Sequence, residues 1–387
     1  LHHHRRRASL AYHSRQAQEP PHPQIHHLAA AINCTMSSAK RRKTEQPAVT
    51  AETSLALHST APKALNTLPE PNLKLTGHVS PIYSLSFSNS TKTKNTGFLA
   101  SAGFDKKVLL WNVGGYCCDN YNVLEGSGNA ILECEWSKTD NNIYAATADK
   151  TALNFDANSG TLVKKYPQTG IVNSLSASKT DECIFVTAGD NREVRWYDTR
   201  VGGKDGVKGI KGEWQLTAVE LGGEADRMAF VGGIDNKIRA YDFRKVDGRS
   251  QTADPVMTLE GHADTISGLK ISPDGNYLLS NSMDNTLKCW TVKGFVQGGD
   301  SARLKKTFLG HKHGNERRLL KCSWSSDGGL VSCGSSDKVV HVWDVESGDE
   351  CYTLPGHSAS VNDVQFSGGG GVIASGSSDN TIFLGEL

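Results

Sequence analysis

The sequence predicts an all-β protein, a closed ring of seven four-stranded units behind an N-terminal tail without regular structure. Three observations predict it. A turn Asp or Asn recurs at Asp105, Asp149, Asn191, Asp235, Asp284, Asp337 and Asp379, at intervals of 42 to 53 residues, the signature of a repeat built from one supersecondary unit. Each lies between an apolar strand and a second strand, and in six of the seven an aromatic residue stands six positions after it, as in LASAGFDKKVLLWNV from Leu99 to Val113. The 39 glycines and 37% apolar content suit short strands joined by many tight turns better than long helices.

Charge separates the tail from the ring. Residues 1–71 carry nine Lys/Arg against four Asp/Glu, a net of +5, which leaves residues 72–387 with 33 basic against 37 acidic residues, a net of −4. A mildly acidic ring is poorly suited to gripping nucleic acid by its own field, because phosphate binding depends on clustered Lys and Arg. The nine cysteines are scattered without a CxxC pair and read as small buried hydrophobes of a reducing compartment rather than as disulfide partners or metal ligands. No apolar run reaches the 18 or so residues that a membrane helix needs.

Taken in order, residues 1–35 begin at Leu1 and hold His2 to His4, Arg5 to Arg7 and scattered Pro, the composition of a non-native or upstream leader. Met36 opens an ordinary-looking N-terminus, and residues 36–71 read as a disordered basic and polar tail. Within it Lys40, Arg41, Arg42 and Lys43 form a compact cluster of the kind a nuclear-import receptor reads from an extended chain, although a solvated charge run has the same appearance. From Asn72 the pattern becomes strand-like, and a Gly-His pair stands at His78, His262, His311 and His357, 22 to 27 residues before a turn Asp.

Those two marks bracket one four-stranded unit, and residues 72–387 resemble the WD-repeat family of β-propellers. In that family the loop His, a second-strand Ser or Thr, the turn Asp and a third-strand Trp form a hydrogen-bonded set that locks each blade. The resemblance implies two complete sets here, His78, Ser101, Asp105 and Trp111 in the first blade and His262, Ser280, Asp284 and Trp290 in the fifth. The sixth offers His311, Asp337 and Trp343 with Cys333 at the Ser position; the seventh offers His357, Ser375 and Asp379 with Gly385 at the Trp position. The second to fourth blades lack the Gly-His pair. The seventh blade ends on its third strand, so Asn72 to Thr76 are expected to supply its outer strand, close the ring and remove exposed edges.

No GxxxxGK[ST], HExxH, GxSxG or EF-hand loop occurs, so the sequence offers no catalytic residues, no metal ligands and no cofactor site, and points to a protein that is not an enzyme. The His and Asp residues recur once per blade, as structural locks do and a catalytic set does not. Binding is expected instead on the face built from the Gly-His loops and turns. Residues just before the turn Asp and at the start of each first strand should face it, and the large ones, Tyr83, Phe104, Leu132, Ile234, Met283 and Leu320, with Arg318 from the sixth-blade loop, are the candidate protein-binding surface. Exposed apolar groups with a polar rim mark a protein partner, and some are expected to be buried by neighbouring loops.

Five stretches, Leu99 to Val113 with Cys118 to Tyr121 following, Gly232 to Arg244, Tyr277 to Trp290, Leu320 to Gly328, and the ending Leu384 to Leu387 with Gly385-Glu386 in place of Trp-Asp, are similar to the WD-repeat subunits of the U5 small nuclear ribonucleoprotein. That resemblance implies a nuclear, non-catalytic scaffold of pre-mRNA splicing whose partners are the large U5 scaffold protein, the U5 helicase and the U5 GTPase. RNA contact would be mostly indirect, with no membrane and no small-molecule substrate. The alternative is a substrate receptor of a cullin-type ubiquitin ligase, suggested by two aromatic-Asp-x-Arg strand ends, Tyr197 to Arg200 and Tyr241 to Arg244.

Overall fold

Each repeat is set by the chemistry of its turn. The Oδ1 atoms of Asp105, Asn191, Asp284, Asp337 and Asp379 accept the backbone N–H two residues on, at 2.9 to 3.4 Å. This is the Asx turn, which Asn closes as well as Asp. The next residue is left-handed in all seven repeats, with φ between 63° and 76° at Lys106, Lys150, Arg192, Asn236, Asn285, Lys338 and Asn380. The turn reverses the chain tightly enough for the flanking strands to pair at once.

The computed structural model describes residues 72–89, 97–113, 118–202, 208–246, 253–294 and 296–387. The chain divides into two units, Leu1–Ala61 and Pro62–Leu387. The first lies wholly outside the described residues, as do the leader expected over 1–35 and the tail expected over 36–71 with Lys40 to Lys43.

The second unit holds seven four-stranded antiparallel sheets. Six are meanders in chain order, spanning residues 82–125, 131–167, 172–211, 216–259, 266–308 and 322–354, called here blades one to six. Blade seven takes three strands from residues 361–386 and its outer strand from Asn72–Thr76. That strand runs antiparallel to Thr381–Glu386, with Asn72 opposite Gly385 and Thr76 opposite Thr381. The ring is therefore closed by pairing of distant segments, and the hydrogen-bonding edge of Thr381–Glu386 is covered.

The core lies between blades. Seven apolar clusters each join two neighbours, for example Ala100, Val108 and Leu110 of blade one against Trp136, Ile143 and Phe155 of blade two. Small residues such as Ala100 and Ala102 let successive sheets approach, while aromatics fill the wider outer space, as in the stack of Tyr144, Phe185 and Tyr197 between blades two and three. Cys134, Cys289, Cys322 and Cys333 are free and buried in these layers, packing as small apolar groups. The innermost strands of six blades carry a one-residue bulge, at Tyr83, Leu132, Asn173, Thr217, Ser267 and Asn362. A bulge re-aims the side chain of the extra residue, and here it turns six of them toward one mouth of the ring.

Candidate functional site

The loops at that mouth are held by the blade locks. In blade one the His78 Nδ1–H donates to Asp105 Oδ2 at 2.7 Å, Ser101 Oγ–H donates to His78 Nε2 at 2.7 Å, and Trp111 Nε1–H donates to Ser101 Oγ at 2.8 Å. Blade five repeats the chain through Asp284, His262, Ser280 and Trp290 at 2.9, 2.7 and 2.7 Å. In blade seven His357 bonds Asp379 and Ser375 at 3.0 and 2.9 Å, and the Phe383 ring packs edge-on against it at 4.6 Å, since Gly385 offers no indole. Burial by itself raises the Asp379 carboxyl pKa, but hydrogen bonds from Thr381, Ser358 and His357 outweigh it and bring it to about 2. Burial holds the His262 and His357 rings below the ordinary histidine value.

Blade six corrects the expectation of a partial lock from His311, Asp337 and Trp343. His311 is 1% exposed, yet both ring nitrogens lack a hydrogen-bond partner. Cys333 Sγ–H points to the Gly334 carbonyl at 3.0 Å, Trp343 Nε1–H donates to the Leu309 carbonyl at 3.1 Å, and Asp337 pairs with His341 at 3.1 Å. The cause is the missing hydroxyl: a thiol is too weak a donor and acceptor to link imidazole and indole. Burial, and then the neighbouring His313, lower the His311 pKa to about 3.

Blades two to four use other means. In blade two Asp149 takes the Gly128 N–H at 2.7 Å and the hydroxyls of Thr147 and Thr151. In blade three Gln168 donates to Thr187 Oγ1 at 2.8 Å and accepts from Asn191 at 3.4 Å. In blade four Asp235 is met by Arg239 at 2.6 Å.

At the mouth, the six bulge residues and Arg318, Leu319 and Lys321 line one cavity of about 190 Å³. Tyr83 and Leu132 are half-buried in its wall. Arg318 reaches across from blade six, its Nη1 donating to Ser378 Oγ of blade seven at 2.5 Å, with Glu316 on its Nε. Leu320 corrects the expected set, because it is 0% exposed. Its carbonyl accepts from Ser267 Oγ at 2.9 Å and Asn281 Nδ2 at 3.0 Å. The Ile82, Leu216 and Ile266 carbonyls accept in the same way from Asn362, Asn173 and Thr217. Leu320 thus takes the buried position before the bulge, and Lys321 is the residue that reaches the mouth.

Around the rim Phe104 is 53% exposed and Ile234 is exposed, while Met283 is half-buried. The sequence reading missed three further exposed apolar groups in the adjoining loops: Val79 at 78%, Leu309, and Trp214 at 48%. Each stands within two residues of a Gly-His pair or of its Gly212-Glu213 counterpart, a spacing that could have marked them.

Below the mouth the innermost strands carry a charge network that strand patterning did not reveal. Lys321 of blade six meets Glu133 of blade two, and Lys270 of blade five meets Glu135 of blade two at 2.5 Å and Glu220 of blade four at 3.4 Å. Glu133 and Glu135 also accept the Leu175 and Ala177 N–H groups at 2.5 and 2.7 Å. Burial works against the Lys270 charge, but Glu135 and Glu220 hold its pKa well above the ordinary lysine value. Asp363, which accepts the Leu85 N–H at 2.7 Å, is pushed up to about 6 by burial. The Lys321–Glu133 and Lys270–Glu135 pairs span blades that are not neighbours and so brace the ring across its axis, while Lys270–Glu220 joins adjacent blades, and removing one partner would strand a buried charge. Among the described residues no cluster of His, Cys, Asp and Glu is arranged to hold a metal ion.

The geometry is that of a rigid ring presenting apolar groups at one mouth, and comparison with known proteins gives it a setting. The family described as "WD domain, G-beta repeat" matches residues 69–112, 253–291, 302–344 and 348–384, passing over blades two to four. The "U5 small nuclear ribonucleoprotein 40 kDa protein" of Dictyostelium discoideum is 41% identical over 321 residues, covering 83% of this chain and 85% of that protein. The "Pre-mRNA-splicing factor cwf17" of Schizosaccharomyces pombe is 37% identical, covering 87% and 93%. The human U5 40 kDa protein is 36% identical, covering 86% and 88%.

Proposed function

The chain belongs to the family of the U5 small nuclear ribonucleoprotein 40 kDa protein, and on that premise we propose that it is a non-catalytic scaffold of the U5 particle in pre-mRNA splicing. The observation that carries the reading is identity of 36 to 41% spread over nearly the whole ring rather than confined to the repeat signature. Blades two to four, which the general repeat family does not match, fall within that shared length.

The rim of Phe104, Ile234 and Val79 around the mouth of Tyr83 and Leu132 is the proposed docking surface. Rigid, half-exposed apolar groups beside polar ones are what a stable protein contact uses. The large U5 scaffold protein, the helicase and the GTPase are the candidate partners, and RNA contact is mostly indirect because the ring is net acidic. The setting is the nucleus, with Lys40 to Lys43 as the proposed import signal. The ligase-receptor reading is not favoured: Arg200 is engaged by Asp198 and Asp181, and Arg244 by Asp242, at 2.7 to 3.0 Å, and the relatives at 36 to 41% identity named above are U5 and splicing proteins.

Affinity purification of the tagged full chain from nuclear extract tests the proposal. Recovery of U5 RNA with its proteins is expected, with a loss of at least severalfold for a Tyr83→Ala/Phe104→Ala variant. Recovery of a ligase adaptor in an Arg200- and Arg244-dependent manner, without U5 RNA, would overturn it.

A further inference from the structure

Blade four leaves open the space that other blades fill with a histidine. The strand register makes the comparison direct: Ser101 lies opposite Leu109 and Leu99 opposite Trp111 in blade one, while Val231 lies opposite Arg239 and Ala229 opposite Tyr241 in blade four. Val231 therefore holds the place of the lock serine, Tyr241 that of the lock tryptophan, and Glu213, after Gly212, that of the histidine. Valine cannot bond an imidazole and Glu213 is exposed. Asp235 is neutralised instead by Arg239.

The result is a cavity of about 240 Å³ whose walls include Val194, Leu216, Val231, Arg239, Tyr241 and Trp214. It reaches from the vacant lock to the seam between blades three and four. Trp214 stands at its lip, 48% exposed, whereas every other tryptophan of the chain is buried. In blades five and six an imidazole packs edge-on against the tryptophan at the corresponding place, at 6.0 and 5.9 Å. Tyr241 has its counterpart position and no such ring against it.

We propose that this pocket receives one aromatic side chain of a partner protein, presented in a segment with acidic residues beside it. Size decides for a single side chain, because the cavity is smaller than the ~300 to 1,000 Å³ clefts that enclose whole small molecules. Shape and chemistry decide for an aromatic, since apolar walls and two aromatic groups accept a planar ring whose edge or face can pack on theirs. Charge decides the flanks. Lys211 and Arg192 are exposed at the lip, on turns joined by the Gly212 N–H to Arg192 carbonyl bond of 2.7 Å, and they outnumber Glu213. Two cations are too few to hold a phosphate backbone, which disfavours a stacked RNA base. The pocket lies outward of the mouth and its occupancy does not depend on the U5 assignment.

The lone exposed tryptophan supplies the readout. The purified full chain is titrated with the peptide acetyl-Glu-Asp-Phe-Asp-Glu-amide, with the same peptide carrying Ala for Phe, and with an eight-nucleotide oligouridylate, while acrylamide quenching of tryptophan fluorescence is followed. The Phe peptide is expected to lower the quenching constant at least twofold at saturation and the Ala peptide to leave it unchanged. Val231→Phe, which fills the cavity, and the pair Glu213→His/Val231→Ser, which rebuilds the lock, are each expected to abolish that protection in protein with an unchanged circular dichroism spectrum. Equal protection by both peptides, protection by the oligonucleotide alone, or full protection persisting in both folded variants would overturn the proposal. A ring that protects Trp214 as expected yet recovers no U5 RNA from extract would overturn the splicing reading and leave this one standing.

Discussion

Blade one and blade six carry nearly the same lock sequence and end in different arrangements. Both have the loop His, the turn Asp and the third-strand Trp, and they differ at the second-strand position, Ser101 against Cys333. In blade one a single hydroxyl donates to the imidazole and accepts from the indole. In blade six the three remaining groups disperse: Trp343 finds the Leu309 carbonyl, Asp337 finds His341, and His311 finds nothing. The keystone of the lock is therefore the hydroxyl, which joins imidazole to indole by giving to the one and taking from the other, and not the histidine that marks the motif in sequence.

The largest effect is expected from deleting residues 72–78, which removes both the closing strand and His78 and should leave no cooperatively folded ring, whereas deleting residues 1–60 should leave the melting transition in place. Equal stability of the two truncations by differential scanning calorimetry would contradict the closure. Next, Ser101→Ala should turn blade one into blade six. It strands His78 Nε2 and Trp111 Nε1 together, at ~1 to 3 kcal/mol for each buried orphan, so denaturant unfolding should show a loss of about 3 kcal/mol.

Acid should find blade six third. The folded pKa of His311 is depressed to about 3 and that of His313 to about 4, against about 6.5 for an unfolded histidine. The unfolded chain therefore binds the extra protons, and stability present above pH 6.5 is lost as the pH falls below it. His311 alone should account for roughly 2 kcal/mol of loss at pH 5, and His311→Gln should flatten the stability profile between pH 6.5 and 5. Asp363 acts in the opposite sense, since its carboxyl is raised to about 6: the folded state holds its proton longer, so its contribution is favourable in acid and declines as the pH rises from 4 through 6.

Cys333→Ser, the reverse of Ser101→Ala, should give His311 a partner and raise stability by about 1 kcal/mol, the net yield of one added hydrogen bond. A loss of stability there would mean that the hydroxyl is not the keystone. The smallest effect is expected from Phe104→Ala on the rim of blade one, within about 0.5 kcal/mol by the same unfolding assay, because that ring rests on water. A larger loss would make Phe104 part of the lock rather than of the docking surface.

The ring was legible because its marks are local. Asp105 and its six counterparts set a turn through atoms two residues away, and a pattern of that range survives in a single sequence. The bulge positions from Tyr83 to Asn362 were legible for the same reason, as residues at the start of their strands, each one after the first. Leu320 was misplaced by one residue because the preceding loop, His311 to Leu319, is long, and only the carbonyl pairing of Ser267 fixes where the strand begins. The bracing pairs were out of reach in principle. Lys321 and Glu133 stand in blades six and two, and alternation along a strand says which way a side chain points and nothing about what it meets across the axis. The vacant lock of blade four was half legible: the missing His and Ser are plain in the sequence, but whether Arg239 or Trp214 would fill the gap is decided by packing.

The strand Asn72–Thr76 is made first and paired last. Its hydrogen-bonding partner, Thr381–Glu386, lies beyond all seven turns, so at the ~5 to 20 residues per second of synthesis the strand waits on the order of tens of seconds for it. During that interval every later blade can form its own hairpins, while the first strand remains an unpaired edge of the kind other chains can capture. Its short length and its Lys74 are features that keep such an edge from being captured, and the ring becomes a ring only in the final moments of its making.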